Sequence, residues 1–285
     1  MPSPRVPPQV YFVGSAVCHY LGPAFAVLLF PRVGPLGVAW LRIASAAAVF
    51  GGWRRPWRSL PRHGAGAPLG AAWLPVLALG LVLAAMNVVF YQAIARLPLA
   101  TVGAIEFLGP VALAAAGLRG RRNLAALAFA VGGVALLADV RLRDEPLGLV
   151  LAFANCALFV AYVVLSKRIA ATGAGVDRLG AAMLVAAVVV SPVALGSAAP
   201  AFADPVLLAA GAAVGVCSSV LPYVLDQLAL ARLSRAGFAL LLALLPATAT
   251  VIGLVVLRQV PRPADLAGIV LVVAGVALHR EGRTA

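Results

Sequence analysis

The chain has 285 residues, of which 63% are apolar and only 11% are charged, whereas about 25% are charged in typical soluble domains. This composition, with a mean hydropathy of +1.04, leaves too few polar residues to cover a water-soluble globule. The net charge of +13 does not indicate nucleic-acid binding, because the Lys and Arg residues lie between apolar runs, where they indicate membrane topology instead.

Ten apolar runs follow one another along the chain, and each is close to the roughly 20 residues that a helix needs to cross about 30 Å of hydrocarbon. They cover residues 10–30, 33–53, 69–94, 99–118, 124–140, 147–165, 179–197, 206–231, 236–257 and 264–279. The connections between them are short and leave no room for a soluble catalytic domain. The sequence therefore predicts an all-α integral membrane protein with ten transmembrane helices embedded in a lipid bilayer.

Basic residues are distributed unequally over the predicted connections. The two termini and the connections after the even-numbered runs hold most of the Lys and Arg residues, so the positive-inside rule places both termini in the cytoplasm. The first run has full spanning length and no A-x-A cleavage site, and we expect it to be retained rather than removed as a signal peptide. The basic and aromatic segment 53–58 is typical of an anchor at the cytoplasmic membrane surface.

Two stretches of the sequence are similar enough to indicate an internal duplication. Residues 124–136 and 266–278 share Leu, Ala, Val, Gly, Val, Ala and Leu at matching places, and Pro110 corresponds to Pro246. The repeated unit holds five helices, so the second copy enters the bilayer from the opposite side. The sequence therefore predicts two inverted five-helix repeats, residues 1–145 and 146–285, an arrangement typical of secondary transporters.

Three ionisable residues, Arg42, Glu106 and Asp226, stand out within predicted helices, where a charge at depth is costly unless it faces a cavity or a partner. Arg42 lies near the centre of the second helix, where its guanidinium would bind a carboxylate of the substrate or of the protein. Glu106 lies about 10 Å below the external boundary of the fourth helix, at 1.5 Å per residue, and we expect it to exchange protons. Asp226, three residues after Tyr223 in the eighth helix, is either a gating or coupling group or a partly solvated one.

A polar strip is predicted beside Glu106. Asn87 is as far from the end of the third helix as Glu106 is from the start of the fourth, so the two would share one depth, and Tyr91 follows on the same face as Asn87. Pro110 cannot donate to the Glu106 carbonyl, and Pro246 repeats this interruption in the second half. Paired interruptions point to a midplane binding site, although each of these residues would also serve helix packing alone.

The sequence lacks the motifs that identify several classes of protein. There is no Cys-x-x-Cys spacing, no Gly-rich phosphate loop and no hydrolase or metalloprotease motif. We therefore expect no metal, no cofactor and no enzymatic activity, and an ATP-driven pump is excluded for this chain alone. The Gly211-x-x-x-Gly215 spacing predicts a face for close helix packing.

The polar positions carry a family resemblance that extends over nearly the whole chain. The motifs are LLFPxVGPxGVxxLR ending at Arg42, MNxxFY at 86–91, LP at 97–98 with EFxGP at 106–110, and LPYxLD at 221–226 with ALxRL at 229–233. On these residues the chain resembles the drug/metabolite transporter superfamily with EamA-type repeats, and within it most closely the threonine/homoserine exporter family. The resemblance implies a carrier of the cytoplasmic (inner) membrane that exports small amino acids or related metabolites by proton exchange. We expect it to act as a monomer or homodimer.

The chain departs from that family pattern at two places. The pattern has a Glu before the proline of the second half and Gly-Glu after the ninth helix, where this chain has Leu245-Pro246 and Arg258-Gln259. If coupling needs the missing Glu, then Glu106 or Asp226 must suffice here, or the protein is a facilitator. A multidrug or other metabolite carrier of the same superfamily is the main alternative, followed by an intramembrane enzyme and a structural membrane protein.

Overall fold

The computed structural model describes residues 8–58, 69–117, 121–142, 145–170, 175–222, 225 and 244–278, and this part of the chain forms nine α-helices and no strand. The helices are α1 (Pro8–Arg54), α2 (Leu69–Ile94), α3 (Leu99–Gly117), α4 (Arg121–Leu142), α5 (Pro146–Ala170), α6 (Gly175–Ala203), α7 (Pro205–Gly215), α8 (Leu244–Leu257) and α9 (Pro263–Leu278). A π-helical turn, Val216–Val220, continues α7 and is called the π segment below. The prediction of an all-helical protein is confirmed.

The helices have the length and surface of a membrane protein. Four segments of the described residues are long and apolar enough to cross a membrane, namely Val13–Arg54, Trp73–Ile94, Pro146–Ser166 and Gly175–Ala203. Large apolar side chains are exposed on the outside of the bundle, and Val188 and Val255 are each 72% exposed. An apolar exterior of this kind would be unfavourable in water and is suited to contact with lipid.

The boundaries expected for the first two helices differ from those in the structure. Two separate runs, 10–30 and 33–53, were expected, whereas the structure has one helical run, Pro8–Arg54, with a kink at Gly34. Gly34 has φ 73° and ψ 158°, a backbone conformation that residues with a Cβ rarely adopt, so a single glycine redirects the chain without a loop. The described residues therefore hold nine helices where ten runs were predicted.

Small residues let the helices approach closely, as the spacing of Gly211 and Gly215 predicts. The face of α7 that carries them packs on the second half of α1. A Cβ added at Gly211 would lie 3.0 Å from the Leu41 Cβ, and one added at Gly215 would overlap the Ser45 Oγ. The predicted packing role of this glycine pair is confirmed.

Helices α4 and α9 form a second closely packed pair. A Cβ added at Gly275 would lie 2.6 Å from the Ala126 carbonyl oxygen, and one added at Gly133 would meet the Gly268 carbonyl oxygen. In the match between 124–136 and 266–278, Gly133 corresponds to Gly275 and Ala126 corresponds to Gly268. The same contact is therefore made twice with the roles of the two helices exchanged, as at a two-fold interface.

The turn after α8 contains a strained residue. Arg258 has φ 54°, in the left-handed region that favours glycine. The next residue, Gln259, donates its N–H to the Gly253 carbonyl and accepts the Leu99 N–H at Oε1, both at 3.0 Å. The Gly-Glu of the resembled family pattern falls on this turn. Gln259, in place of the Glu, still provides a side-chain oxygen that accepts the Leu99 N–H. Arg258, in place of the Gly, adopts the left-handed conformation at a cost that glycine would not have.

We expect Arg258→Gly to stabilise the protein by up to about 1 kcal/mol, because glycine removes the left-handed strain. The measurement is thermal unfolding in detergent micelles. Arg258→Ala is the matched control, since it removes the same side chain but keeps a Cβ, and it should bring no gain. Equal stabilisation by both variants would assign the effect to the lost charge and contradict the backbone explanation.

Candidate functional site

Arg42 is a buried cation on the second half of α1, and its side chain is held by three groups from two other elements. Its Nε donates to the Ser219 Oγ and its Nη2 donates to the Ser218 carbonyl, each at 3.1 Å. The guanidinium carbon lies 5.5 Å from the centre of the Tyr91 ring on α2, within the range of a cation–π interaction. Arg42 itself is 7% exposed, so the cation is withdrawn from the surface.

No carboxylate neutralises Arg42 within the part of the chain that the structure describes. The ion pairs found there join Arg32 to Asp204 and Arg54 to Asp177. Glu106 lies within electrostatic range of Arg42 but forms no ion pair with it, so the structural pairing left open by the sequence is not formed. None of the described hydrogen bonds uses Nη1. A buried guanidinium with free donor capacity is suited to bind an anion such as a substrate carboxylate.

Glu106 lies on α3 and is 5% exposed. Among the described residues its Oε2 has no hydrogen-bond partner. The Asn155 amide from α5 lies beside the Glu106 carboxyl, and Tyr20 from α1 is a close electrostatic neighbour. The carboxyl is therefore enclosed by polar groups from two other helices, neither of which was predicted as part of the site.

Two glycines of α3, one on each side of Glu106, leave room for groups from two other helices. A Cβ added at Gly103 would lie 3.1 Å from the Tyr20 Oη of α1, and one added at Gly109 would lie 3.1 Å from the Cys156 Sγ of α5. Residues three apart are neighbours on a helix surface, so each glycine lies next to Glu106. The Tyr20 side chain and α5 consequently pack against the turns of α3 that carry the carboxyl.

The two α2 residues of the predicted polar strip have different surroundings in the structure. Tyr91 is fully buried with its ring against Arg42, whereas Asn87 donates its Nδ2 to the Leu83 carbonyl of its own helix at 2.8 Å. α2 packs mainly against α5 and α6 and touches α3 only slightly. No contact between Asn87 and Glu106 is found among the described residues, and the part of Asn87 in the site stays a prediction.

Both prolines lie within described helices. α3 runs through Pro110 to Gly117, so Pro110 does not end its helix. Pro246 lies in α8, and its carbonyl accepts the Thr250 hydroxyl at 2.8 Å. Tyr223 and Asp226 lie outside the described residues, and their roles remain predictions.

Four polar residues of this cluster were missed by sequence reasoning: Tyr20, Asn155, Ser218 and Ser219. Tyr20 and Asn155 lie in the middle of apolar runs, which is the same signal that singled out Asn87. The two serines lie in the π segment, a helix irregularity that is frequent at functional sites and that has no signature in the sequence.

The helical fold and the buried polar cluster fit a multi-pass membrane transporter, and comparison with known proteins shows that the chain is one. Residues 146–280 match the EamA-like transporter family. The chain is 32% identical over 241 residues to the threonine/homoserine exporter RhtA of Salmonella typhimurium, covering 84% of this chain and 79% of the relative. It is 31% identical over 257 residues to the threonine/homoserine exporter RhtA of Escherichia coli, covering 89% and 84%.

The chain therefore belongs to the EamA-like transporter family of the drug/metabolite transporter superfamily, which consists of transporters and not of enzymes. A protein of known crystal structure shares the fold with a TM-score of 0.57 at 21% sequence identity, covering 95% of this chain and 97% of that one. A small-molecule substrate and a lipid environment follow from this membership.

Proposed function

We propose that the protein is a secondary transporter that exports small amino acids of the threonine and homoserine type across the cytoplasmic membrane by proton exchange. The observation that carries the proposal is the buried Arg42, whose charge no carboxylate of the described residues neutralises. Arg42 would bind the substrate carboxylate and Glu106 would carry the proton. The names of the similar exporters from Salmonella typhimurium and Escherichia coli support this substrate class.

The remaining predicted residues belong to the same proposal. Tyr91 would orient Arg42 through its ring, and Asn87 would line the path together with Tyr223 and Asp226. Pro110 and Pro246 would loosen the backbone of the two helices that carry the site. Alternating access would then rock one group of helices against another about the level of Arg42 and Glu106.

Ten spans with both termini in the cytoplasm form the proposed topology. The apolar part of α1 has 42 residues, which at 1.5 Å per residue is about 63 Å, roughly twice the thickness of the hydrocarbon core. The kink at Gly34 would divide it into two spans. Four contacts support the alternation, because each joins two connections or helix ends that the ten-span scheme places on one side of the membrane. These are Arg32 with Asp204, Arg54 with Asp177, Leu99 with Gln259, and Arg122 with Leu278.

Two inverted repeats, residues 1–145 and 146–285, are part of this proposal. Its support is the α4–α9 pair, where Gly133 with Gly268 and Gly275 with Ala126 make one contact in both directions. A pair of elements related by a two-fold axis in the membrane plane would pack in this way. The protein would act as a monomer or a homodimer.

The experiment that tests the function is uptake of labelled threonine and homoserine into proteoliposomes with and without an acidic interior. Outward proton flow should drive uptake by the wild type. We expect Glu106→Gln to lose the stimulation by the gradient and to keep exchange of labelled for unlabelled substrate, because glutamine keeps the shape of the side chain but cannot exchange a proton. Glu145→Gln, the same change in the connection before α5, is the matched control and should behave as wild type.

Two results would contradict the proposal in different ways. Gradient-driven uptake by Glu106→Gln at the wild-type rate would remove the coupling role of Glu106. Folded wild-type protein that carries neither amino acid would favour the alternative substrate class, a drug or another metabolite, within the same transporter family.

A further inference from the structure

Asn155 is a buried amide in the interior of the bundle, beside the Glu106 carboxyl. It lies in the middle of α5 and is 0% exposed. Neither its Oδ1 nor its Nδ2 has a hydrogen-bond partner among the described residues. An unpaired amide in an apolar interior is costly, and buried amides are therefore kept where a polar group meets them in some state of the protein.

The amide shares its surroundings with two other unpaired polar groups. The Glu106 carboxyl lies beside Asn155, and the Tyr20 hydroxyl, also 0% exposed, lies over Gly103 one turn earlier on α3. The Tyr20 Oη and the Glu106 Oε2 have no hydrogen-bond partner among the described residues. Asn155 from α5 and Tyr20 from α1 are thus both polar neighbours of the Glu106 carboxyl on α3.

The three polar groups and Arg42 suit different chemical groups of an amino-acid substrate. This step rests on the proposed function, in which Arg42 binds a carboxylate and Glu106 is the acidic group of the site. A side-chain hydroxyl carries no charge and both donates and accepts, and the Asn155 amide has the same two capacities. The phenolic hydroxyl of Tyr20 would complete the set of donors and acceptors.

We propose that Asn155, together with Tyr20, binds the side-chain hydroxyl of the transported amino acid and selects hydroxylated amino acids over apolar ones of the same size. A site built to hydrogen-bond a substrate hydroxyl rejects the analogue that lacks it, because its buried polar groups are then left unpaired. A merely structural amide would affect folding and would leave the ratio between two such substrates unchanged.

The test compares pairs of substrates that differ in the hydroxyl alone or nearly so. Uptake into proteoliposomes is measured for labelled threonine against valine and for homoserine against 2-aminobutyrate. The variants are Asn155→Leu, which keeps the volume of the side chain, and Tyr20→Phe, which removes one oxygen. Cys156→Ala, the adjacent residue on α5, is the matched control for disturbance of that helix.

We expect the wild type to prefer the hydroxylated member of each pair, and Asn155→Leu to lower that preference roughly tenfold or more while valine uptake persists. Tyr20→Phe should lower the preference in the same direction, and it decides the question if Asn155→Leu does not fold. An unchanged preference, or equal loss of both substrates in folded protein, would overturn the assignment of Asn155 and Tyr20 alone. A folded wild type that carries none of the four amino acids would overturn the proposed function and this inference with it.

Discussion

Arg42→Ala is expected to abolish transport, with initial uptake of labelled threonine reduced at least about a hundredfold. Hydrogen bonds to charged groups contribute about 1.5–3 kcal/mol each, and a guanidinium that binds a carboxylate through two of them loses both. No other buried Arg or Lys is found in the described part of the chain to replace it. The measurement is uptake over a range of substrate concentrations, with the thermal stability of each variant recorded in parallel.

Arg42→Lys separates charge from geometry. Lysine keeps the positive charge but loses the planar fork that reaches Ser218 and Ser219 and the flat contact with the Tyr91 ring. We expect KM to rise about tenfold, with a smaller change in the maximal rate. Arg54→Lys is the matched control, because Arg54 is partly exposed and pairs with Asp177 at 2.8 Å, and its uptake should stay within about twofold of wild type. A KM close to wild type in folded Arg42→Ala would assign Arg42 to helix packing.

Gly215→Ala is expected to lower the free energy of unfolding by about 2 kcal/mol, the cost of overpacking a closely packed interface. The added Cβ would lie 2.6 Å from the Arg42 carbonyl oxygen and would overlap the Ser45 Oγ, so α7 must move away from α1. The π segment follows α7 directly and provides both serine contacts of Arg42. Transport should therefore fall together with stability.

The control for Gly215→Ala is the same substitution at Gly196 in α6, where an added Cβ meets nothing within 4 Å. There alanine should stabilise the protein by about 0.5–1 kcal/mol, because it orders a helix interior more readily than glycine. Thermal unfolding of both variants in one detergent gives the comparison. Stabilisation of the protein by Gly215→Ala would contradict the tight packing of α7 on α1.

The helices themselves could be predicted from the sequence, because the length of an apolar run is fixed by the thickness of the bilayer. α2 ends where its run does, at Ile94. The boundary between the first two helices was expected at residues 31 and 32, whereas these two residues are helical and the non-helical residue is Gly34. Which of several breaker residues interrupts a helix depends on packing that no local pattern contains.

Only the charged residues of the site could be predicted with good reason, because burying a charge is costly. Arg42 and Glu106 stand out in the sequence because an ionised group inside a membrane is costly unless it faces a cavity or a partner. Asn155 and Tyr20 do not, because the helices are apolar on all sides and periodicity does not reveal which faces meet. The prediction that Asn87 faces Glu106 relied on adjacency along the chain, whereas α2 packs mainly on α5 and α6.

The close packing of α4 on α9 has a mechanical consequence. A Cβ added at Gly133 would meet Val272 as well as the Gly268 carbonyl oxygen, and one added at Gly268 would meet Leu137, so the backbones and side chains of the two helices interlock. Their described residues include none of the groups that surround Arg42 or Glu106. We therefore expect α4 and α9 to stay together as one unit when the surroundings of Arg42 and Glu106 rearrange.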